Sequence, residues 1–154
     1  MKNIFNIALL AFCFMASSLF AQQEKPLCLS GDCKNGRGYV KYPSGAEYDG
    51  VFKDEKREGF GIYTSAAGDK YEGEFSNDQL NGKGLLIYAN GDSYKGDFVS
   101  GTFQGDGVLI YKSGTKYEGQ FRDGLFHGEG VLNYANGKSF IGTFVNGQPE
   151  EERK

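Results

Sequence analysis

Histidine is almost missing: His127 is the only one in 154 residues. It sits in "LFHGEG", a loop-like stretch, and no nucleophile or second base stands at a spacing that would assemble a catalytic set around it. Basic residues are also scarce, with 17 Lys and Arg against 20 acidic residues and a net charge of −3. The positive footprint that phosphate backbones require is therefore absent, and anionic membrane surfaces are disfavoured on the same ground. Past residue 21 no window carries a capped apolar stripe of helical period, which excludes a helical body. What is plentiful is glycine, 24 residues, and aromatic rings, 13 Phe and 10 Tyr.

The first stretch, "MKNIFNIALLAFCFMASSLFAQQ", has a cationic start at Lys2, an apolar run from Ile4 to Phe20 and small residues near its end. That is the outline of a secretory signal peptide over residues 1–21, cleaved after Ala21 or, as the second choice, after Ser18. An uncleaved membrane anchor is the alternative, on a run short for a bilayer span of roughly 20 residues. A lipoprotein site at Cys13 is disfavoured by the bulky Phe12 before it. The expected location is secreted or periplasmic. Removing residues 1–21 takes away Lys2 and no acid, leaving 16 basic against 20 acidic residues, a net −4.

Two cysteines then remain, Cys28 and Cys33 in "CLSGDC". In an exported chain the pair reads as a short-range disulfide across a Ser-Gly-Asp turn. A metal site is the alternative, though it lacks further Cys or His nearby, and a redox pair usually has tighter spacing.

Tyr48, Tyr71, Tyr94, Tyr117 and Phe140 stand 23 residues apart. Gly50, Gly73, Gly96, Gly119 and Gly142 follow two residues later, and Phe52, Phe75, Phe98, Phe121 and Phe144 two after those. Gly61, Gly84, Gly107 and Gly130 repeat with the same step, each preceded by another glycine two positions earlier. A fixed period of this length means a repeat architecture. Within each unit "YEGEF" and "GLLIY" alternate with period two, and turn signals such as Asn90–Gly91, Ser113–Gly114 and Asn136–Gly137 separate the segments. The expected fold is all-β: an elongated antiparallel meander of successive hairpins, about ten short strands at ~4.8 Å spacing, with open edges. The expected register sets Phe75 opposite Gly82, Gly73 opposite Gly84, Tyr71 opposite Leu86 and Tyr88 opposite Tyr94, so that each ring lies beside a glycine. One hairpin has no second face for its rings, so each unit depends on its neighbours. The Cys28–Cys33 segment is expected to staple the first edge, and Pro149 with the charged tail to blunt the last.

"YEGEFSNDQLNGKG", "YKGDFVSGTFQGDG" and "YEGQFRDGLFHGEG" resemble MORN (membrane occupation and recognition nexus) repeats, whose pattern is Y-x-G-x-F-x-x-G-x-x-x-G-x-G. The resemblance runs from residue 36 to about residue 147. Two units depart from it: Glu55 and Asp78 replace the loop glycine found at Gly101, Gly124 and Gly147, so those loops need not share its conformation. The resemblance implies an elongated twisted sheet with a groove lined by the repeated aromatics. It also implies roles in protein–protein scaffolding and in lipid contact. Some plant lipid kinases carry such repeats beside a kinase domain, but this chain shows neither a kinase catalytic loop nor its metal-binding motif.

Other apparent chemistry dissolves on inspection. "NGKS" at Asn136–Ser139 has Leu132 where a phosphate loop needs glycine, and no helix follows, so it reads as a hairpin turn. Asp106 and Glu129 occupy one position of successive units, roughly 10 Å apart across the sheet, too far for a shared proton. The candidate binding residues are the aromatics Tyr71, Tyr88, Tyr94, Tyr111, Tyr117, Tyr134 and Phe140, which form either a groove or simply half of the core. No catalytic residue, metal or cofactor is expected. The chain divides into a signal peptide (1–21), a linker and Cys28–Cys33 cap (22–34), a repeat body (35–147) and a charged tail (148–154). The expected function is a non-enzymatic scaffold engaging a protein partner in the cell envelope or outside the cell. A binding module for lipid or envelope glycan is the alternative, and homodimer formation through the open edges is open.

Overall fold

Period-two alternation is realised as a single twelve-stranded antiparallel sheet in which each strand lies beside its neighbours in sequence. The computed structural model describes residues 25–150, and the signal segment expected at residues 1–21 lies outside them. The strands are β1 (Leu27–Gly31), β2 (Arg37–Lys41), β3 (Glu47–Lys53), β4 (Lys56–Thr64), β5 (Lys70–Ser76) and β6 (Gln79–Ile87). They continue as β7 (Ser93–Val99), β8 (Thr102–Ile110), β9 (Lys116–Arg122), β10 (Leu125–Asn133), β11 (Ser139–Val145) and β12 (Gln148–Pro149). The count exceeds the expected ten because the cysteine segment joins the sheet as β1 and Gln148–Pro149 adds a two-residue β12. At ~4.8 Å per strand the sheet is about 50 Å from edge to edge.

The register explains the glycines. Gly73 faces Gly84 and Tyr71 faces Leu86, as the sequence suggested. The expected Phe75–Gly82 and Tyr88–Tyr94 pairs are replaced by Phe75–Leu80 and Leu86–Tyr94. As a result glycine faces glycine from strand to strand, through Gly38, Gly50, Gly61, Gly73, Gly84, Gly96, Gly107, Gly119, Gly130 and Gly142. Even Gly31, which stands outside the sequence period, joins this row opposite Gly38. A row without side chains lets each tyrosine ring lie flat on the backbone. A Cβ at Gly84 would come within 2.5 Å of the Tyr71 ring, and one at Gly107 within 2.5 Å of the Tyr94 hydroxyl.

The register shift has a local cause. What reads in sequence as a six-residue loop is a two-residue turn, Asn77–Asp78, with φ of 48° and 69°. Positive φ at both central residues makes it a type I′ turn, whose twist suits a tight hairpin. A bulge follows, at Gly82 with φ 65° in this unit and at Gly59, Gly105 and Gly128 in the others. The bulge bends the strand, and the hairpin tips pack over the tyrosine row. Phe103 stacks on Tyr94 at 3.7 Å between centroids and 8° between planes, and Phe126 stacks on Tyr117 at 3.7 Å and 9°. Leu80 packs against the same core, and the Arg57 guanidinium lies 5.9 Å from the Tyr48 ring centroid. Neighbouring tips are tied together: the N–H groups of Asp78, Gly101, Gly124 and Gly147 donate to the carbonyls of Arg57, Leu80, Phe103 and Phe126. A single sheet thus supplies its own second layer.

Under that layer the rings form a continuous ladder. Tyr71 meets Phe75 and Phe98 edge to face, Tyr94 meets Phe98 and Phe121, and Tyr117 meets Phe121 and Phe144, with centroids 5.0–5.2 Å apart. Such pairs add about 0.5–1.5 kcal/mol each beyond burial. Each tyrosine hydroxyl donates to a carbonyl three residues on: Tyr48 to Val51, Tyr71 to Glu74, Tyr94 to Asp97 and Tyr117 to Gln120. Among the described residues the ladder has no ring before Phe52, because the position 23 residues before Tyr48 is Lys25. There the Cys28–Cys33 disulfide takes over, with the Cys33 sulfur 2.7 Å from where a Gly38 Cβ would stand.

Glu55 and Asp78 settle the question of the two odd loops. They adopt φ of 65° and 69°, the same left-handed region as Gly101 and Gly124 at 81° and 79°, so these loops share the common turn. A residue with a Cβ costs about 1–2 kcal/mol in that region relative to glycine. Glu55→Gly is therefore expected to raise stability by about 0.5–1 kcal/mol, the remainder being offset by unfolded-state entropy. Its exposed contact with Lys34, at 4.0 Å, adds little. Equilibrium urea unfolding checks this, and a lower midpoint for the variant would contradict it.

Candidate functional site

The seven aromatics singled out in the sequence separate into two sets. Tyr71, Tyr94 and Tyr117 are 1 %, 0 % and 0 % exposed. They lie between the glycine row and the hairpin tips and present no surface to a partner. Phe140 is half-buried on β11, where it lacks the hydroxyl bond its tyrosine counterparts make. Tyr88, Tyr111 and Tyr134 stand at the turn end of the same face, one per unit, with Tyr111 and Tyr134 each more than a third exposed. Tyr42 belongs to this rim, but Ser65 interrupts it before Tyr88.

The rim is held by its turns. In each, the N–H of the rim residue donates to a carbonyl four residues on: Tyr88 to Asp92, Tyr111 to Thr115 and Tyr134 to Lys138. Two aspartates join one turn to the next. Asp69 Oδ1 accepts from the Ala89 N–H at 2.9 Å, and Asp92 Oδ1 accepts from the Lys112 N–H at 2.8 Å. These aspartates escaped the sequence reading, although "GDK" and "GDS" recur 23 residues apart. They also act on the rim electrically. Burial pushes the Tyr88 phenol above its ordinary pKa, and the Asp69 and Asp92 charges push it further. Burial raises Tyr111 too, with a smaller contribution from Asp92.

Sequence reasoning also missed Arg57, Leu80, Phe103 and Phe126, whose common period of 23 residues is legible once their position matters. Arg57 lies between rings and charge: its guanidinium is 5.1 Å from the centroids of Tyr63 and Phe75, and its Nε donates to Asp78 Oδ1 at 3.1 Å.

The chemistry discounted earlier gains nothing from the geometry. Asp106 sits opposite Gln120, and Glu129 opposite Thr143, whose hydroxyl donates to it at 2.9 Å. The backbone carbonyl of His127 accepts from the Tyr117 hydroxyl at 3.3 Å. Among the described residues no group of three His, Cys, Asp or Glu side chains is placed to hold a metal. No helix among them is long and apolar enough to cross a membrane. A recess of about 570 Å³ opens at the N-terminal end, lined by Pro26, the disulfide, Val40, Tyr42 and Phe52.

Residues 48–70, 71–93, 94–116 and 117–139 each match the MORN repeat. The chain belongs to the MORN repeat family. MORN repeats build structural, non-catalytic modules, and this one is a non-enzymatic, repeat-based protein-interaction module. Its MORN sheet is similar to a solved structure of the SAS-4 (dCPAP) TCP domain in complex with a proline-rich motif of Ana2 (dSTIL) of Drosophila melanogaster. The identity is 16% over 77% of this chain and 90% of that one, with a TM-score of 0.25, too slight to bear on function. No curated protein matches.

The buried MORN tyrosines carry a pH consequence. Burial pushes Tyr48, Tyr71 and Tyr117 up to about 12 and Tyr94 higher still. An unfolded tyrosine loses its proton near pH 10. Their folded values are raised, so the stabilisation they give is fully present below pH 10 and is lost as pH rises toward 12. Urea midpoints measured from pH 8 to 12 are expected to hold until about pH 10 and then fall steeply, with the share of the phenolate absorbance that belongs to these four rings appearing only as the fold is lost. Complete ionisation of all tyrosines without unfolding would contradict the burial.

Proposed function

We propose that this protein is an exported MORN scaffold that holds a protein partner in the cell envelope or outside the cell. The partner lies along the rim of Tyr88, Tyr111, Tyr134 and Phe140. The observation that carries this reading is the separation of the aromatics: the ladder rings are consumed by the core, while the rim rings are left partly exposed at one per unit. Export is supported by the leader-like residues 1–21 and by the Cys28–Cys33 bridge, since disulfides persist in oxidising compartments. In this reading residues 35–147 form the repeat body, residues 22–34 its N-terminal cap and residues 148–154 its tail. Asp69 and Asp92 beside the rim, with the acidic balance of the chain, favour a partner segment that sets Lys or Arg among apolar side chains.

The lipid and glycan reading loses its footing here. It needs a broad plane of exposed rings, and Tyr71, Tyr94 and Tyr117 offer no surface. The experiment is affinity capture from a detergent extract of the source envelope, comparing the exported protein with a Tyr111→Ala/Tyr134→Ala variant. A partner enriched by the first, lost with the second and rebound when purified is the expected result. Equal capture by both would remove the rim from the interface.

A further inference from the structure

Of the odd-numbered strands, β3, β5, β7 and β9 carry charge, in EYDGVFK, KYEGEFS, SYKGDFV and KYEGQFR, while β1, LCLSG, and β11, SFIGTFV, carry none. β1 is broken by a bulge between Cys28 and Ser30 and tied by its disulfide, and β11 is regular. The two outer-face positions beside the central glycine hold Glu72 and Glu74 in β5 and Lys95 and Asp97 in β7, but Ile141 and Thr143 in β11. Ile141 is 76% exposed. It also lies on the edge of the sheet. β12 pairs only with Phe144 and Val145, so among the described residues Ser139–Thr143 have no strand on their outer side. Edge strands usually carry a charge, a proline or a bulge that prevents pairing, and this window has none of them.

The backbone phase of the window follows from the turn beside it. Asn146 and Gly147, with φ of 52° and 87°, form a two-residue type I′ turn between Val145 and Gln148. Residues flanking such a turn exchange hydrogen bonds with each other. Counting back in steps of two, Thr143, Ile141 and Ser139 direct their N–H and C=O groups outward, while Gly142 and Phe140 direct theirs to β10. An arriving strand therefore meets three bonding residues, with Ile141 at the centre.

We propose that the occupant of this edge is the same window of a second copy, running antiparallel about a two-fold axis at Ile141. In that register Ile141 faces Ile141 of the second copy, and Thr143 faces its Ser139. Phe140 faces Gly142, the kind of phenylalanine–glycine pair the sheet already forms at Gly82–Phe98, Gly105–Phe121 and Gly128–Phe144. No like charges meet within the window, and Lys138 of one copy is carried toward Glu150 of the other. The glycine row ends at Gly142, which meets Phe140 of the second copy and not another glycine. Five residues per side form a small interface against the roughly 1,200 Å² of a stable one, so the dimer is weak and concentration-dependent. It shares Phe140 with the proposed rim, while its central residue, Ile141, lies outside that rim.

The test uses the full exported chain with its disulfide intact. Sedimentation velocity from micromolar to several hundred micromolar is expected to show the 16.9 kDa species, less any leader removed on export, passing to one of twice its mass. Ile141→Lys, which sets two like charges together on the axis, should weaken that association at least tenfold while leaving the far-UV spectrum unchanged. Ile141→Cys should cross-link to itself on mild oxidation, since directly opposed residues of a bonded antiparallel pair lie ~5.5 Å apart between Cα atoms. Ser139→Cys alone should not, because in this register it faces Thr143. A monomer at every concentration would overturn the proposal, as would dimers indifferent to Ile141→Lys or self-cross-linking at position 139 equal to that at 141.

Discussion

Gly96→Ala should destabilise the protein by about 3 kcal/mol, although it adds one methyl group. The new Cβ would stand 2.5 Å from the Tyr94 hydroxyl, 2.6 Å from the Asp106 carbonyl oxygen and 2.7 Å from the Gly107 Cα. Two of those three atoms are backbone of the paired strand, which cannot give way without breaking the ladder. The position lies in the middle of the array, so damage there separates the units on either side, and repeat stability is carried by such nearest-neighbour contacts. Gly101→Ala is the control. Its φ is 81° and nothing lies within 4 Å of the added methyl, so only the left-handed backbone cost of about 1 kcal/mol applies. Urea unfolding of the two variants should rank them in that order. Equal losses would mean that backbone conformation, and not the flat-lying ring, makes the glycine row necessary.

Tyr94→Ala should cost about 4 kcal/mol, within the usual range for a fully buried aromatic, and lower the melting temperature by roughly 10–20 °C. Tyr94 meets Phe98, Phe103 and Phe121, has no exposed surface, and donates its hydroxyl to the Asp97 carbonyl at 3.0 Å. Tyr94→Phe keeps the ring and loses the hydroxyl bond, for about 1 kcal/mol. Tyr111→Ala, on the rim, should cost under about 1 kcal/mol, as surface substitutions usually do. Differential scanning calorimetry of the three variants checks the series. A mild Tyr94→Ala would mean that the ladder rings are not the core. The same contrast rules out Tyr94 and Tyr117 as probes of binding, since truncating them removes the interior of the sheet.

The repeat and its hairpins are legible in the sequence because they rest on period, and period survives without knowledge of register. The Gly73–Gly84 and Tyr71–Leu86 pairs follow from counting outward from the loop between them. The count fails at Tyr88, because a five-residue turn, Tyr88 to Asp92, absorbs the residue that a tighter hairpin would pair. It fails again at Phe75, because the bulge at Gly82 sets extra residues against one on the opposite strand. A bulge glycine and a turn glycine look alike in sequence; only the dihedral separates them. The same bulge hid the second layer. Leu80, Phe103 and Phe126 read as loop residues until the bend packs them over the tyrosines, and so seven candidate aromatics looked equivalent when three are interior. The uncharged β11 edge was visible throughout as "SFIGTF", but its meaning depends on β12 stopping after two residues.

The separation of ladder from rim is tested most directly by hydroxyl-radical footprinting of the folded, oxidised protein, with oxidation at each tyrosine read by mass spectrometry. The expected result is ready labelling of Tyr111 and Tyr134, intermediate labelling of Tyr88, and protection of Tyr48, Tyr71, Tyr94 and Tyr117 to the level of buried residues. Labelling of Tyr94 and Tyr117 at the rate of Tyr111 would contradict it, and would restore the open aromatic groove in place of a closed core with a tyrosine rim.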